Sequence, residues 1–214
     1  QELMLSLAVA VFGIATIYGS AFAFPPPPSK ENMLTSSSSS TAQPRNWGVV
    51  EEIRPNFHQV FLKDDGVFPN TPSHPVLLLS NVFHGTQEEG SQLLVEAGWT
   101  APWVWGVFTY HHYHSTAWEV LVCVQGSADI QFGGPAGPTV DVKKGDVALI
   151  PPGVAHKQLN DKGGFALLGA YPQQTPHADT VRGVPSERQR LAIAECFTPV
   201  TEPITGTRLD NLYS

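Results

Sequence analysis

Positive charge and cysteine are scarce in this sequence. Only 12 of its 214 residues are Lys or Arg, against 19 Asp and Glu, and the formal net charge is −7. The cations are scattered along the chain, whereas binding nucleic-acid phosphates requires clustered Lys and Arg. The composition therefore argues against a nucleic-acid partner. The two cysteines, Cys123 and Cys196, are too few to predict a disulfide framework.

Long apolar runs are also nearly missing, with one exception near the start. Residues 3–19, "LMLSLAVAVFGIATIYG", carry no charge and lead to the small residues Ala21 and Ala23, an A-x-A-like cleavage site. The run is short for a transmembrane helix and has no basic flank. We therefore predict a signal peptide over residues 1–23 and no stable membrane association once this leader is removed.

Residues 24–46 are rich in Pro and Ser and poor in apolar side chains, so we expect a disordered transit or linker segment. The junction "GSAFAFPP" resembles the bipartite leader of algae with complex plastids, in which a Ser-rich transit segment begins with Phe. Phe22 or Phe24 would be that residue. The resemblance implies a plastid location, and the alternative is a secreted protein with a Pro/Ser linker.

Short apolar runs separated by turn residues dominate residues 47–185. With 19 Gly and 19 Pro in the chain, runs such as "PVLLLSNVF" and "EVLVCVQG" are typical of an all-β sandwich or barrel. One helix interrupts the strands, since Thr86 and Glu89 can form a capping box before an apolar stripe that ends at Gly98. A second helix is predicted from Ser186, within a C-terminal helix and tail over residues 186–214.

Three of the eight histidines lie within four positions of the segment "TYHHYHSTAWEVLVCVQG", residues 109–126. Side chains alternate along a strand, so His112 and His114 face one way and His111 faces the other. Two imidazoles on one face would also suit a polar surface. Histidines 58, 74, 84 and 177 have no motif around them, and we expect them at the surface.

Further residues at fixed spacing show that the histidine pair is part of a longer pattern. Two strings of the sequence resemble the paired motifs of the cupin superfamily, and all ten fixed positions are occupied. The first string consists of Gly106, His112, His114, Glu119 and Gly126, and the second of Gly145, Pro151, Gly153, His156 and Asn160.

Four of these positions can meet inside a small barrel. His112 and His114 share a strand, Glu119 lies on its hairpin partner, and His156 follows a tight Pro-Pro-Gly turn. Imidazoles with one carboxylate suit a divalent transition ion such as Fe, Mn, Ni, Co or Zn, with positions left open for substrate. A structural zinc site would close its shell instead. The alternative is a barrel that keeps these residues and works without metal.

A closer resemblance covers nearly all of residues 47–190. The stretches "FLKDDGVFPN", "HHYHS", "IPPGVAHK" and "GAYP" are similar to the YjlB-like group of small single-domain cupins. The resemblance implies a double-stranded β-helix barrel (a jelly roll) with one or two short helices, a bound metal and a homodimer formed across outer strands.

Strand alternation also predicts the lining of the pocket around the metal. It places inward Phe108, Tyr110, Leu121, Cys123, Val154 and Gln158. No Arg or Lys is placed inward, so a small neutral or zwitterionic ligand is favoured over phosphorylated sugars or dicarboxylates. Cys123 has the context of a small core residue, not of a nucleophile.

Two kinds of function remain open from the sequence. One is a metal-dependent enzyme, either dioxygenase-like or a lyase or isomerase, with Tyr110 and Glu119 as candidate catalytic residues. The other is a non-catalytic cupin that binds or senses a small ligand, with the metal as an anchor. The substrate and the reaction are not specified by the residues.

Overall fold

A computed structural model describes residues 56–175 and 177–213 of the chain. The predicted segments 1–23 and 24–46, and the first residues of the predicted barrel, lie outside this part. The described elements are β1 (Phe57–Val60), β2 (Val76–Leu79), α1 (Gln87–Glu96), β3 (Trp103–Trp105), β4 (Glu119–Gln125), β5 (Ser127–Phe132), β6 (Thr139–Lys143), β7 (Val147–Ile150), β8 (His156–Gln158), β9 (Ala166–Ala170), α2 (Glu187–Glu195) and α3 (Leu209–Tyr213).

The strands form two sheets. One has six strands in the order β1-β2-β7-β4-β9-β3, and the other has three in the order β6-β5-β8. Every pairing between these described strands is antiparallel. The all-β prediction is confirmed, and the described strands form two antiparallel sheets with an apolar cluster between them, as in a double-stranded β-helix.

Alternation along β4 divides the core into two apolar clusters. Val120 and Val122 pack on the outer side of the six-stranded sheet, with Leu94 of α1 and Leu212 of α3. Leu121 and its neighbours on that face pack between the two sheets, with apolar residues of β5 and β6. Glu119 has the parity of Leu121, so β4 directs its carboxylate into the barrel.

The helices begin where the sequence predicts. The Thr86 hydroxyl accepts a hydrogen bond from the Glu89 backbone N–H, and the Glu89 carboxylate accepts one from the Thr86 backbone N–H. Helix α2 starts after a similar pair, Ser186 and Gln189. The short helix α3 was not predicted. None of the helices in the described part is long and apolar enough to span a membrane.

The segment before the histidines is less regular than the sequence indicates. A continuous strand was expected, but only β3 is regular, and two isolated bridges follow at His112 and Tyr113. Between them the chain is held by Gln158, whose backbone N–H donates to the Phe108 carbonyl at 2.9 Å. The alternation of side chains nevertheless holds from residue 112 to residue 114.

Two motif glycines occupy turns that restrict other residues. Gly126 joins β4 to β5 with φ of 64°, and a Cβ there would lie 2.7 Å from the carbonyl oxygen of Gly163. Gly153 has φ of 86° in the turn before His156. Both positions need the left-handed conformation that glycine adopts without strain.

Candidate metal centre

Three buried histidines converge inside the barrel. His112 and His156 face each other across an isolated antiparallel bridge, with backbone N–O distances of 3.2 and 2.9 Å and ring centroids 4.2 Å apart. His114 lies two residues further on, and its carbonyl accepts a bond from the Gly153 N–H of the turn. One nitrogen of each ring lies within 4.8 Å of the corresponding nitrogen of the other two, an arrangement that can bind a metal ion.

Backbone carbonyls fix the orientation of the three rings. Nδ1 of His112 lies 3.2 Å from the Tyr110 carbonyl oxygen, Nδ1 of His156 lies 3.1 Å from the Val154 carbonyl oxygen, and Nδ1 of His114 bonds the carbonyl oxygen of Asp179. A carbonyl only accepts hydrogen bonds, so each Nδ1 carries the proton. The Nε2 lone pair is then available to a metal, as in other histidine sites.

Glu119 completes the cluster from β4. Its Oε2 lies 3.0 Å from Nε2 of His156 and 3.5 Å from Nε2 of His114, and the carboxylate is almost fully buried. Burial alone would raise the pKa of Glu119, but the adjacent His114 and His156 outweigh it and lower this pKa. The carboxylate is therefore ionised at neutral pH.

Two of the histidines have pKa shifts in opposite directions. Burial, reinforced by His156, lowers the pKa of His112 to about 3, so this ring is neutral and ready to act as a ligand. Burial also opposes the charge of His114, but the negative charge of Glu119 outweighs it and raises the pKa of His114. A proton on His114 and a metal cation would thus compete for the same carboxylate.

The donor atoms fit a bound divalent cation. Among the described residues, Nε2 of His114 and Oε2 of Glu119 are buried without a hydrogen-bond partner. A buried polar atom left unpaired costs about 1–3 kcal/mol, so such atoms usually have a partner. A metal ion between the imidazoles and the carboxylate would satisfy both atoms, and the donor set suits a transition metal.

Asp179 supports this cluster and was not predicted from the sequence. Its carbonyl oxygen accepts a hydrogen bond from Nδ1 of His114, and its Oδ1 accepts one from the Ser115 backbone N–H at 2.6 Å. The Thr116 hydroxyl donates to the same carboxylate at 3.2 Å. Asp179 lies 65 residues from His114 along the chain, and no local spacing connects them.

A cavity of about 310 Å³ opens above the cluster. Its wall is formed by the four cluster residues together with Trp103, Trp105, Gly106, Val107, Phe108, Tyr171 and Thr180. No Lys or Arg is among these described lining residues. The volume suits a small ligand, and the wall is mainly aromatic and apolar.

The predicted pocket residues occupy different places. Phe108 lines the cavity, and Tyr110 stacks on it with ring centroids 4.8 Å apart. The Arg182 guanidinium lies over the Tyr110 ring, 3.3 Å from its centroid. His111 points elsewhere, with its ring 5.5 Å from that of Phe68. Tyr110 thus contacts Phe108 and Arg182 and is not among the described lining residues of the cavity.

The remaining predicted pocket residues are not among the described lining residues of this cavity. Leu121, Cys123 and Val154 pack in the apolar cluster between the sheets. Burial raises the pKa of the Cys123 thiol to about 12, which fits a core residue and not a nucleophile. The Gln158 side-chain carbonyl accepts the Val107 backbone N–H at 3.1 Å.

Tyr171 contributes the hydroxyl that contacts the cluster. It donates to Oε1 of Glu119 at 3.5 Å, and its ring lies 5.2 Å from that of His114. Burial, followed by the charge of Glu119, raises the pKa of Tyr171, so the phenol keeps its proton. Alternation along β9 could have predicted it, since Leu167 is inward and Tyr171 lies four residues further on.

The chain is similar to several known proteins. The model of the Cupin domain family matches residues 95–167. A Bacillus subtilis (strain 168) protein described as "Uncharacterized protein YjlB" is 39% identical over 150 residues, which cover 69% of this chain and 90% of that protein. The similarity thus extends over nearly the whole of the bacterial protein.

Two solved structures are also similar at lower identity. A conserved protein with a double-stranded β-helix domain from Klebsiella pneumoniae is 13% identical, with a TM-score of 0.30, over 74% of this chain and 98% of that one. A cupin-like protein from Thermotoga maritima is 19% identical, with a TM-score of 0.29, over 64% of this chain and 95% of that one.

Proposed function

The chain belongs to the cupin family and is a relative of YjlB, and from this premise we propose that it is a metal-dependent enzyme for a small neutral or zwitterionic molecule. The observation that carries the proposal is the buried cluster beneath a 310 Å³ cavity. His112, His114, His156 and Glu119 would hold one divalent transition ion. Such an ion would supply Lewis acidity and, if it is iron, oxidative chemistry.

The residues around the cluster define what the cavity accepts. Trp103, Trp105 and Phe108 line the cavity and offer apolar and aromatic contact. Anionic groups such as phosphates are usually bound by Arg or Lys, and the described wall has neither. A compact, uncharged or internally balanced substrate is therefore the best fit.

Proton transfer is proposed for Tyr171 in preference to Tyr110. The Tyr171 hydroxyl lines the cavity and bonds Glu119, so it can hold a proton at its oxygen beside a bound substrate. Tyr110 is held between Phe108 and Arg182 and is not among the described lining residues. The two tyrosines are therefore a matched pair for mutagenesis.

A substrate panel tests this proposal. Protein loaded in turn with iron, manganese, nickel and zinc is offered small neutral and zwitterionic compounds, and an oxygen electrode separates oxidative chemistry from lyase or isomerase chemistry. We expect one compound to be turned over, with Tyr171→Phe slowing the reaction about 10²-fold and Tyr110→Phe changing it much less.

Binding without turnover would indicate a different role for the protein. A compound that binds the metal-loaded protein in calorimetry, yet stays unchanged with every metal, would identify a non-catalytic binding or sensing cupin. Equal losses in Tyr110→Phe and Tyr171→Phe would contradict the assignment of Tyr171 while leaving the enzyme proposal intact.

A further inference from the structure

A second cavity, of about 330 Å³, lies beside the strand that carries Glu119. Trp118 immediately precedes Glu119 and faces the outer apolar cluster, on the side of the sheet away from the metal centre. The described residues of its wall are Asp64, Pro69, Thr71, Pro72, Ser73, His74, Trp118, Pro152, Arg190, Ile193, Ala194, Cys196 and Thr198. This second cavity shares no lining residue with the first one.

Trp118 lines the second cavity and carries a buried hydrogen-bond donor. The side chain is 1% exposed, and its indole Nε1 has no hydrogen-bond partner among the described residues. Indole nitrogen can only donate, and a donor buried without an acceptor costs about 1–3 kcal/mol. An oxygen atom held in the cavity beside the indole would satisfy it.

The other polar groups of the wall do not favour a charged ligand. Arg190 and Asp64 are paired at 2.8 Å, so their charges offset each other. His74 was expected at the surface, but it is partly buried and packs edge-on against Trp118, with ring centroids 5.4 Å apart. Burial lowers the pKa of His74, which keeps the ring neutral.

The rest of the wall is apolar and partly rigid. It includes three prolines, Pro69, Pro72 and Pro152, together with Ile193 and Ala194 of α2. Proline side chains lose little entropy when they contact a ligand, since the ring is already fixed. The wall therefore combines an apolar surface with one buried donor, as ligand cavities usually do.

We propose that this cavity is a second small-molecule site, which takes an uncharged molecule with an apolar body and an oxygen acceptor bonded by the Trp118 indole N–H. The site is separate from the metal centre and does not depend on the enzyme proposal. It lies against Pro152, in the turn that leads to His156, and against the residue before Glu119.

Cys196 allows a direct test, because it forms part of the wall. Cys123 is fully buried with a pKa of about 12, so Cys196 is the cysteine expected to react. Burial raises the pKa of Cys196 to about 11, and the exchange is therefore run at alkaline pH. Two methyl disulfides serve as probes, with a 2-acetamidoethyl group and its hydrocarbon counterpart, a 4-methylpentyl group.

Each probe transfers its group to Cys196 by thiol–disulfide exchange, which releases methanethiol, and added 2-mercaptoethanol keeps the reaction at equilibrium. Intact-mass spectrometry of the 214-residue chain gives the half-saturating concentration of each probe. Replacing Trp118 by Phe keeps an aromatic ring and removes the N–H. One neutral hydrogen bond corresponds to about a fivefold change in affinity.

We expect the preference for the amide over the hydrocarbon probe to be about fivefold greater in the wild type than in Trp118→Phe. Trp105→Phe, which alters an exposed indole at the first cavity, should keep the wild-type preference, and Cys196→Ser should form no adduct. Equal preference in the wild type and Trp118→Phe would overturn the proposal, as would the absence of any adduct at Cys196.

A measurement on the wild type covers the case in which Trp118→Phe does not fold. The chain has five tryptophans, so ¹⁵N-labelled protein shows at most five indole N–H signals. The amide adduct should shift one of them downfield by hydrogen bonding, and the hydrocarbon adduct should leave that signal in place. The same spectrum from both adducts would contradict an oxygen acceptor at Trp118.

Discussion

At the scale of residues, the predicted donors meet because strand alternation and one tight turn bring them to the same place. His112 and His114 share a face by strand alternation, and the turn at Gly153 brings His156 opposite His112. The sequence predicts this convergence, and the structure places the three rings in one buried cluster. Asp179 escaped prediction because its contact with His114 crosses 65 residues, whereas alternation along β9 would have placed Tyr171.

Asp179 should act on the metal through His114. Its backbone carbonyl oxygen bonds the His114 ring. Its carboxylate accepts hydrogen bonds from Ser115 and Thr116, which fix the position of the Asp179 backbone. Loss of the carboxylate in Asp179→Ala frees the loop, so we expect the affinity for Zn²⁺ to fall by about 10-fold or more. Competition against a chromogenic chelator measures the change.

Asp129→Ala is the matched control for this prediction. It removes a carboxylate that pairs with Lys162 at the surface, away from the cluster. The affinity for Zn²⁺ should stay at the wild-type value. If Asp179→Ala also binds Zn²⁺ as tightly as the wild type, the contacts of this loop with His114 contribute nothing to the free energy of metal binding.

At the scale of elements, capping motifs predicted where helices start more reliably than apolar runs predicted how far strands extend. Both predicted helices begin where the sequence indicates, each at a capping box that is complete within four residues. The run over residues 105–114 was expected as one strand, but after β3 the Val107 backbone N–H bonds the Gln158 side chain and only isolated bridges follow. Such a long-range contact leaves no pattern in the local sequence.

The pairing of β3 with β9 depends on a glycine. Trp103 is opposite Gly169, and a Cβ on Gly169 would lie 1.9 Å from Cζ2 of the Trp103 indole. Gly169→Ala should therefore displace the indole from the cavity wall and lower the free energy of unfolding by about 1–3 kcal/mol. Chemical denaturation measures the loss.

A second substitution tests the cause. Trp103→Leu removes the ring that the new methyl group would contact, so the loss from Gly169→Ala should be much smaller in the Trp103→Leu background. Losses that add independently in the double variant would mean that the indole is not what makes glycine necessary at this position.

At the scale of the whole molecule, the fold was predictable because ten spaced residues resemble one family pattern. Those positions define turns and ligands, and the turns determine how the strands pair. The homodimer, the plastid or secreted location and the leader remain predictions. The homodimer depends on a second copy of the chain and the location on receptors that read the leader, and the leader lies outside the described residues.

The leader prediction concerns the mature protein. Residues 1 to about 45 should be absent from it, because an apolar run followed by a Pro/Ser-rich segment is typical of a cleaved targeting sequence. Mass spectrometry of protein from its native source gives the mature N-terminus. A chain that begins before Phe22 would indicate a membrane anchor, and a fluorescent fusion outside the plastid would contradict the algal location.

Metal content tests the central claim most directly. The chain isolated without chelator, or reconstituted with a divalent transition metal, should carry about one ion by elemental analysis, since its imidazoles and carboxylate suit such an ion. His114→Ala and His156→Ala should lower the occupancy, whereas His111→Ala, whose ring contacts Phe68, should not. A wild-type chain that carries no metal and cannot be reconstituted would contradict the account.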